Sequence, residues 1–412
     1  MERVVVTGLG AITPIGLTVD EFWRNLTEGV SGVGPITAFD VSDLSCKIGA
    51  EVKGFDPRNY MEFKEAKRSH RSAHYAVAAT KQALEDARVQ IDATNAERTG
   101  IVINSGGGGL GLMEEGTHLL TNGGPRKIGP FFLPMVMPNA VACQVSIMVG
   151  AQGPVLTSTL ACASGNYAVV QAAQMIRNGE ADLIVAGGTE GGMSRLLYTS
   201  FANMGALSHR NDDPTRASRP FDRDRDGFVY GEGAAVLALE SEEHARARGA
   251  HIYAEVLGGA LTADAYHITA PDPNGGGASR VMRRALRASR MEPQDLDVIF
   301  AHGTSTPLND ATETRAIKEV FGDHSYRLAI SATKSMVGHL IGAAGAVSAL
   351  AAVLAIRDGV LPPTINLDNP DPACDLDYVP RVARRCSVTS AMVNAFGFGG
   401  QNVAVVLRRY QA

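Results

Sequence analysis

The sequence contains no CxxC pair, no block of five like charges and no apolar run as long as the roughly 20 residues a membrane-spanning helix needs. Each absence excludes a class of protein. The five cysteines, Cys46, Cys143, Cys162, Cys374 and Cys386, are odd in number and widely spaced. That spacing argues against a disulfide framework or a cysteine-rich zinc site and for a reducing cytoplasm. A net charge of only -5, spread along the chain, gives no footprint for nucleic acid and no solvating tail. The longest apolar run, LIGAAGAVSALAAVLAI over 340–356, is rich in Ala and Gly and suits a helix packed closely inside a protein, so no membrane insertion is expected. The opening MERVVVTGLG is broken by Thr7, Gly8 and Gly10 and reads as a first strand rather than a signal peptide.

What is present is an alternation of strand and helix over 412 residues, 45% of them hydrophobic, which argues an α/β protein with helices covering sheets. Strands are expected at 3–7, 100–104, 155–160, 181–186, 234–240, 251–259, 298–301 and 328–331. Helices are expected at 19–27, 67–87, after Cys162, at 279–289 and from Leu340, with 112–150 broken by proline into irregular structure and short helices. The order of motifs repeats. VLTSTLACASG with a helix ending MIRNG parallels LAISATKSMVG with a helix ending AIRDG; DLIVAGGTEGG parallels SAMVNAFGFGG; GIVINSGGGG parallels DVIFAHGTST. Two similar halves, 1–250 and 251–412, packed about a pseudo-twofold axis would bring equivalent loops to one centre.

Those loops carry the reactive side chains. Cys162 stands where an extended segment becomes a helix, and a helix N-terminus favours the nucleophilic thiolate. Ala161 and Ala163 beside it leave room for a substrate, although a buried structural cysteine has the same local sequence. His302, at a strand end, and His339, at a helix start, suit proton exchange near neutral pH. Lys334 reads either as a surface lysine or as a buried cation balanced by Asp310 and Glu313. The glycines of NAFGFGG, 394–400, would expose backbone N–H groups to an oxyanion or simply make a tight turn around Phe396 and Phe398. Zinc accepts one cysteine and two histidines, but their separations carry no metal signature. Gly106, Gly108 and Gly111 fit GxGxxG, yet the acidic strand end of a dinucleotide site does not follow.

Taken together, VVVTGLGAITPIG, NGGPRKIGPFF, LACASG, ASRPFDRDRDGFVYGEGA, AHGTSTPLND, TKSMVGHLIGAAGA, LPPTINLDNPDP and NAFGFGG make the chain resemble, along its whole length, the β-ketoacyl-acyl carrier protein synthases of type II fatty acid synthesis, especially the elongating ones. The resemblance implies a thiolase-like fold of two pseudo-equivalent halves in five αβαβα layers, and a cytoplasmic homodimer. It implies that Cys162 accepts the acyl group and that His302 and His339 promote malonyl decarboxylation, in a site ordered by Lys334. The N–H groups of Cys162 and Phe398 would form the oxyanion hole, with the Phe398 ring as gate. Thr304 and Thr306 would hold the phosphopantetheine arm; Gly107, Phe396 and Gly399 would line the substrate site; Lys64, Lys67 and Arg68 would dock the acidic carrier protein. No resident cofactor or metal is implied, because 4'-phosphopantetheine arrives on the carrier.

Four positions depart from the family pattern: Leu160 for threonine, Gly107 for a bulkier aliphatic residue, Gly205 for an arginine and Ser348 for a glutamate. A polyketide ketosynthase shares these motifs, and from another class a non-catalytic chain-length factor shares most of them, though the intact Cys162, His302 and His339 argue against the latter. A degradative thiolase would carry a second cysteine in the terminal glycine loop, which NAFGFGG lacks.

Overall fold

Val4–Val6 pairs antiparallel with Ala254–Val256, and that short ladder joins two half-sheets into one sheet of ten strands. A computed structural model describes residues 2–412. The first half supplies β1 (Val4–Ile12), β2 (Thr99–Asn104), β3 (Val155–Leu156), β4 (Leu183–Glu190) and β5 (Gly233–Ser241). The second supplies β6 (Ala254–Ala263), β7 (Val298–Phe300), β8 (Ala329–Ser331), β9 (Ser390–Gly397) and β10 (Gln401–Arg409). The spatial order is β3-β2-β4-β5-β1-β6-β10-β9-β7-β8, a palindrome in which β1 answers β6, β5 answers β10 and β4 answers β9. The correspondence extends to single residues. The β1–β5 ladder slips between Val6 and Gly8, and the β10–β6 ladder slips between Val406 and Leu407, the matching place.

Helices complete the five layers. Helices α1 (Arg71–Asp86) and α2 (Ala140–Val149) cover the first half-sheet, and α4 (Gly276–Ala288) with α5 (Pro307–Phe321) covers the second. Between the half-sheets lie α3 (Ser164–Arg177) and α6 (Ala344–Asp358), packed on each other. A helix apolar on all sides must be buried on all sides, and every residue of α6 from Ala344 to Ile356 is buried. The helical stretch 341–358 is long and apolar enough to cross a membrane, but 89% of it is buried inside the protein, so burial and not shortness identifies it as core. Gly165 and Gly345 make the crossing possible: a Cβ at Gly165 would lie 2.7 Å from the Ala346 nitrogen, and one at Gly345 would lie 2.7 Å from the Asn166 nitrogen.

Three expectations are corrected. The strand expected over 155–160 has only two residues in ladder, because 157–160 turns away to deliver Cys162. The stretch 112–150 is more regular than its prolines suggest, with a 14-residue helix at Leu110–Gly123 that ends before Pro125. The repeat also has a different register near the nucleophile. The 3₁₀ turn Ala161–Ala163 before α3 answers the turn Ile341–Ala343 before α6, so the counterpart of Cys162 is Gly342, not Ser335. Both turns open on a non-glycine residue at positive φ, Ala161 at 46° and Ile341 at 42°. The short helix Lys334–Val337 and the His339 loop are extra residues in the second half, and end-to-end matching of sequence slides across them.

Candidate active site

Cys162 lies on the tight turn between Leu160 and α3, buried at 6% exposure. The end of β9 passes directly over it: a Cβ at Gly397 would meet the Leu160 oxygen at 2.5 Å and the Cys162 nitrogen at 3.4 Å, so only glycine fits. Burial pushes the thiol up to about 11; the Lys334 charge and the backbone N–H groups of Phe398 and Cys162 oppose this only in part. The helix terminus therefore does not make a resting thiolate, contrary to the expectation from sequence, because desolvation outweighs the dipole. The sulfur must lose its proton as it reacts.

His302 and His339 stand with ring centroids 5.5 Å apart and planes at 84°. Burial, reinforced by the Lys334 charge, drives both well below the usual histidine range, so both are neutral imidazoles near pH 7. The Ile341 N–H donates to His339 Nδ1 at 3.1 Å, which leaves the His339 proton on Nε2. His302 is held through its backbone. Its N–H donates to Glu313 Oε1 at 2.9 Å and its carbonyl accepts from Lys334 Nζ at 2.5 Å, while its Nδ1 is buried without a partner. Lys334 is a buried cation: burial lowers it to about 8, and Glu313, Cys162 and Asp310 work against the fall. Burial raises Glu313, which also accepts from the Gly303 N–H at 2.9 Å. Asp310 accepts from the Thr304 N–H at 3.1 Å.

These groups open on one cavity of about 460 Å³, lined by Cys162, His302, His339, Phe396 and Phe398 together with Thr304, Thr306 and Gly107. Thr304 and Thr306 share a hydroxyl–hydroxyl hydrogen bond of 2.9 Å. Gly399 is a correction: it does not line the cavity but is exposed, its N–H donating to the Ile268 oxygen at 2.7 Å. Lys64, Lys67 and Arg68 lie outside the cavity. Lys64 and Lys67 are exposed; the Lys67 ammonium sits over the Phe63 ring and the Arg68 guanidinium over the Phe131 ring, each at 4.5 Å. Among the described residues no three of His, Cys, Asp or Glu converge closely enough to ligate a metal.

The departures also find their places. Leu160 is buried two residues before Cys162, and the Ser348 hydroxyl bonds the Thr333 hydroxyl at 3.0 Å rather than Lys334. Gly107 and Gly205 both face the cavity. The residue missed from sequence is Glu190, buried at the end of β4 and lining the same cavity. The one signal for it in sequence is the glutamate in DLIVAGGTEGG, whose counterpart segment SAMVNAFGFGG has none.

The family model described as "Beta-ketoacyl synthase, N-terminal domain" matches residues 1–245, and "Beta-ketoacyl synthase, C-terminal domain" matches 253–368. The chain belongs to the β-ketoacyl synthase family. Among curated β-ketoacyl synthases it is 51% identical over 410 residues to the 3-oxoacyl-[acyl-carrier-protein] synthase 2 of Synechocystis, covering 100% of this chain and 99% of the relative. It is 48% identical to the enzyme of that name from Coxiella burnetii, covering 99% of each. Among solved structures, a β-ketoacyl synthase from Burkholderia phymatum superposes with TM-score 0.94 at 35% identity, covering 100% of both chains. A type II polyketide ketosynthase, solved in complex with its acyl-carrier protein and bound to the hexaketide, superposes with TM-score 0.91 at 35% identity, again covering 100% of both.

Proposed function

We infer that this β-ketoacyl synthase condenses an acyl group held on Cys162 with malonyl-acyl carrier protein, giving 3-oxoacyl-acyl carrier protein and carbon dioxide, in fatty acid elongation. The observation that carries the reading is the pair of neutral imidazoles beside a single buried thiol in one cavity. Full-length identity to curated 3-oxoacyl-acyl carrier protein synthases, higher than to the polyketide ketosynthase structures, supports the fatty acid pathway.

In the first half-reaction the Cys162 sulfur attacks the carrier's thioester carbon, its proton passes to a neighbouring imidazole, and the carrier thiol leaves with a proton. A cysteine thioester keeps the acyl group electrophilic while the second substrate enters. In the second, the bond between the malonyl α-carbon and its carboxylate breaks, the carboxylate leaves as carbon dioxide, and the bonding electron pair moves onto the thioester as an enolate. Neutral N–H groups stabilise that developing oxyanion without having to lose a proton first, and the Nε2–H tautomer of His339 is suited to donate. The enolate carbon then attacks the acyl carbon, Cys162 leaves as thiolate, and the sulfur takes up a proton from solvent to restore the thiol. The Cys162 and Phe398 N–H groups supply the oxyanion hole for the acyl carbonyl, and Lys334 holds His302 by its carbonyl.

Both substrates arrive on an acyl carrier protein, whose phosphopantetheine arm reaches past Thr304 and Thr306; the enzyme needs no cofactor of its own. The cationic side chains of Lys64, Lys67 and Arg68, framed by Phe63 and Phe131, are the docking surface for that acidic partner. A second copy of the chain covers the first half's edge. Leu119, Leu133, Ile147 and Leu156 are exposed within the segment 110–156; Leu156 lies on the terminal strand β3 and Ile147 on α2, which packs against it, and exposed apolar side chains at a sheet edge are stabilised by self-association.

The test is reconstitution with acyl- and malonyl-loaded carrier protein. Equimolar 3-oxoacyl carrier and carbon dioxide support the reading; carbon dioxide without a condensed product, from wild-type protein supplied with both substrates, would refute it.

A further inference from the structure

Strand registers place Glu190 opposite Gly233 and Gly397 opposite Gln401, and since β5 answers β10, Glu190 is the pseudo-symmetric counterpart of Gly397. In the catalytic half, side-chain-free Gly397 sits over the Cys162 amide and leaves it open. In the other half the equivalent amide, Gly342 N–H, is filled: it donates to Glu190 Oε2 at 3.1 Å. The same oxygen accepts from Gly106 N–H at 2.8 Å, and Ser105 Oγ lies 3.4 Å from the other oxygen. Gly106 and Gly342 come from opposite halves and touch. A Cβ at Gly342 would lie 2.2 Å from the Gly106 nitrogen, and one at Gly106 would lie 2.5 Å from the Ile341 side chain. Two buried N–H donors facing one point require a shared acceptor, and converging amides form an anion site.

We propose that Glu190 is a positioning residue for the acyl pocket, its carboxylate bridging the Gly106 and Gly342 amides so that the wall formed by 106–110 is fixed relative to the His339–Gly342 turn. The inference rests on the condensing-enzyme assignment only for the substrate used to read it. Gly106, Gly107, Leu110 and Ile341 all line the cavity beside Cys162, so their spacing sets how much room an acyl chain has next to the thioester. The filled amide pair also accounts for a carboxylate at the edge of an apolar chamber, where burial raises it to about 7 against the pull of the Gly106 and Gly342 N–H groups.

The experiment compares wild type, E190A and E190Q in two measurements on the full-length protein. The first is acylation of Cys162 by carriers bearing acyl chains of graded length, alongside malonyl-carrier decarboxylation. In E190A the chain-length dependence of acylation should flatten, with the ratio between best and poorest chains falling about tenfold and decarboxylation falling less than acylation. E190Q, which keeps a carbonyl acceptor for the amides, should recover part of the discrimination. The second is hydrogen exchange, which needs no substrate: amides at 105–107 and 341–342 should exchange faster together in E190A and less so in E190Q. An unchanged chain-length profile, a proportional loss of both half-reactions, or exchange unaltered at both segments would overturn the proposal. Should E190A not fold, E190Q alone decides, because it must shift both readouts partway. Absence of acylation in wild type would count against the assigned substrate, while the exchange result would still judge the bridge.

Discussion

Lys334 donates from its buried ammonium to the carbonyl oxygen of His302, 2.5 Å away, while Glu313 accepts from the N–H of the same residue. His302 is thus held at both ends of its backbone by a cation and a carboxylate, and its ring is left free. Lys334→Ala removes the anchor and leaves a buried carbonyl unpaired. Decarboxylation of malonyl carrier protein should fall by about 10²-fold or more, as when a fixed electrostatic group is lost. Carbon dioxide release measured with a folded variant checks this.

The same lysine sets an alkaline limit. Its pKa is lowered to about 8, so above that pH the site loses its cation, and decarboxylation should decline with a midpoint near 8. The residual activity of Lys334→Met should lack that limb. On the acid side the sign follows from the histidines. Both are held far below 6.5 by burial, so under acid the unfolded chain takes up protons that the folded chain refuses. Stability should fall as pH drops through 6.5, by up to about 1.4 kcal/mol per pH unit for each histidine. Denaturant midpoints from pH 7.5 to 5.5, with His302→Asn reducing the slope, measure it.

Gly397 and Gly399 lie two residues apart and should behave oppositely. Gly397→Ala puts a Cβ 2.5 Å from the Leu160 oxygen and forces the loop off Cys162. Acylation should slow by about 10²-fold, the scale of a displaced reacting group. Gly399 has φ +82 but open space around it, so Gly399→Ala should cost about 1 kcal/mol of stability and leave acylation close to wild type.

Asp222 is fully buried and accepts from the N–H groups of Asp224, Asp368 and Asn369 and from Arg219 Nε, tying the segment after 218 to 368–371. Asp222→Ala strands three amides and leaves the buried Arg219 guanidinium with Asp368 alone, 3.3 Å away. Unfolding free energy should drop by about 3–5 kcal/mol, read as a lower denaturant midpoint.

The exposed apolar side chains of 110–156 predict self-association. Leu119→Lys combined with Leu133→Lys should move the sedimentation coefficient from dimer to monomer; a double variant that remains dimeric would place the interface elsewhere.

That Cys162, His302, His339 and the glycine loop share one cavity was legible because each sits in a short motif at an element end: a cysteine between alanines, a histidine at a strand end, glycines after a strand. The pairing of two similar halves was legible for a similar reason, since motif order survives where residue identity has drifted. Register was not. The insertion carrying Lys334 and His339 lies between two matching segments, and only hydrogen-bond pairing shows that Gly342 answers Cys162 and Glu190 answers Gly397. The thiol's protonation was unreadable because it depends on depth: a helix terminus favours a thiolate, but at 6% exposure desolvation wins. Glu190 was hidden because its partners are amides from both halves, and sequence gives no sign of a carboxylate shared across an axis.

The most direct test of the account is intact-protein mass spectrometry after incubation with acyl-loaded carrier protein, with Cys162→Ala as control. The account predicts one acyl adduct per chain on wild type, none on the variant, and its disappearance when malonyl carrier protein is added. An adduct that persists on Cys162→Ala, or a wild-type adduct that malonyl carrier protein does not discharge, would contradict the assignment of Cys162 as the acyl-bearing nucleophile.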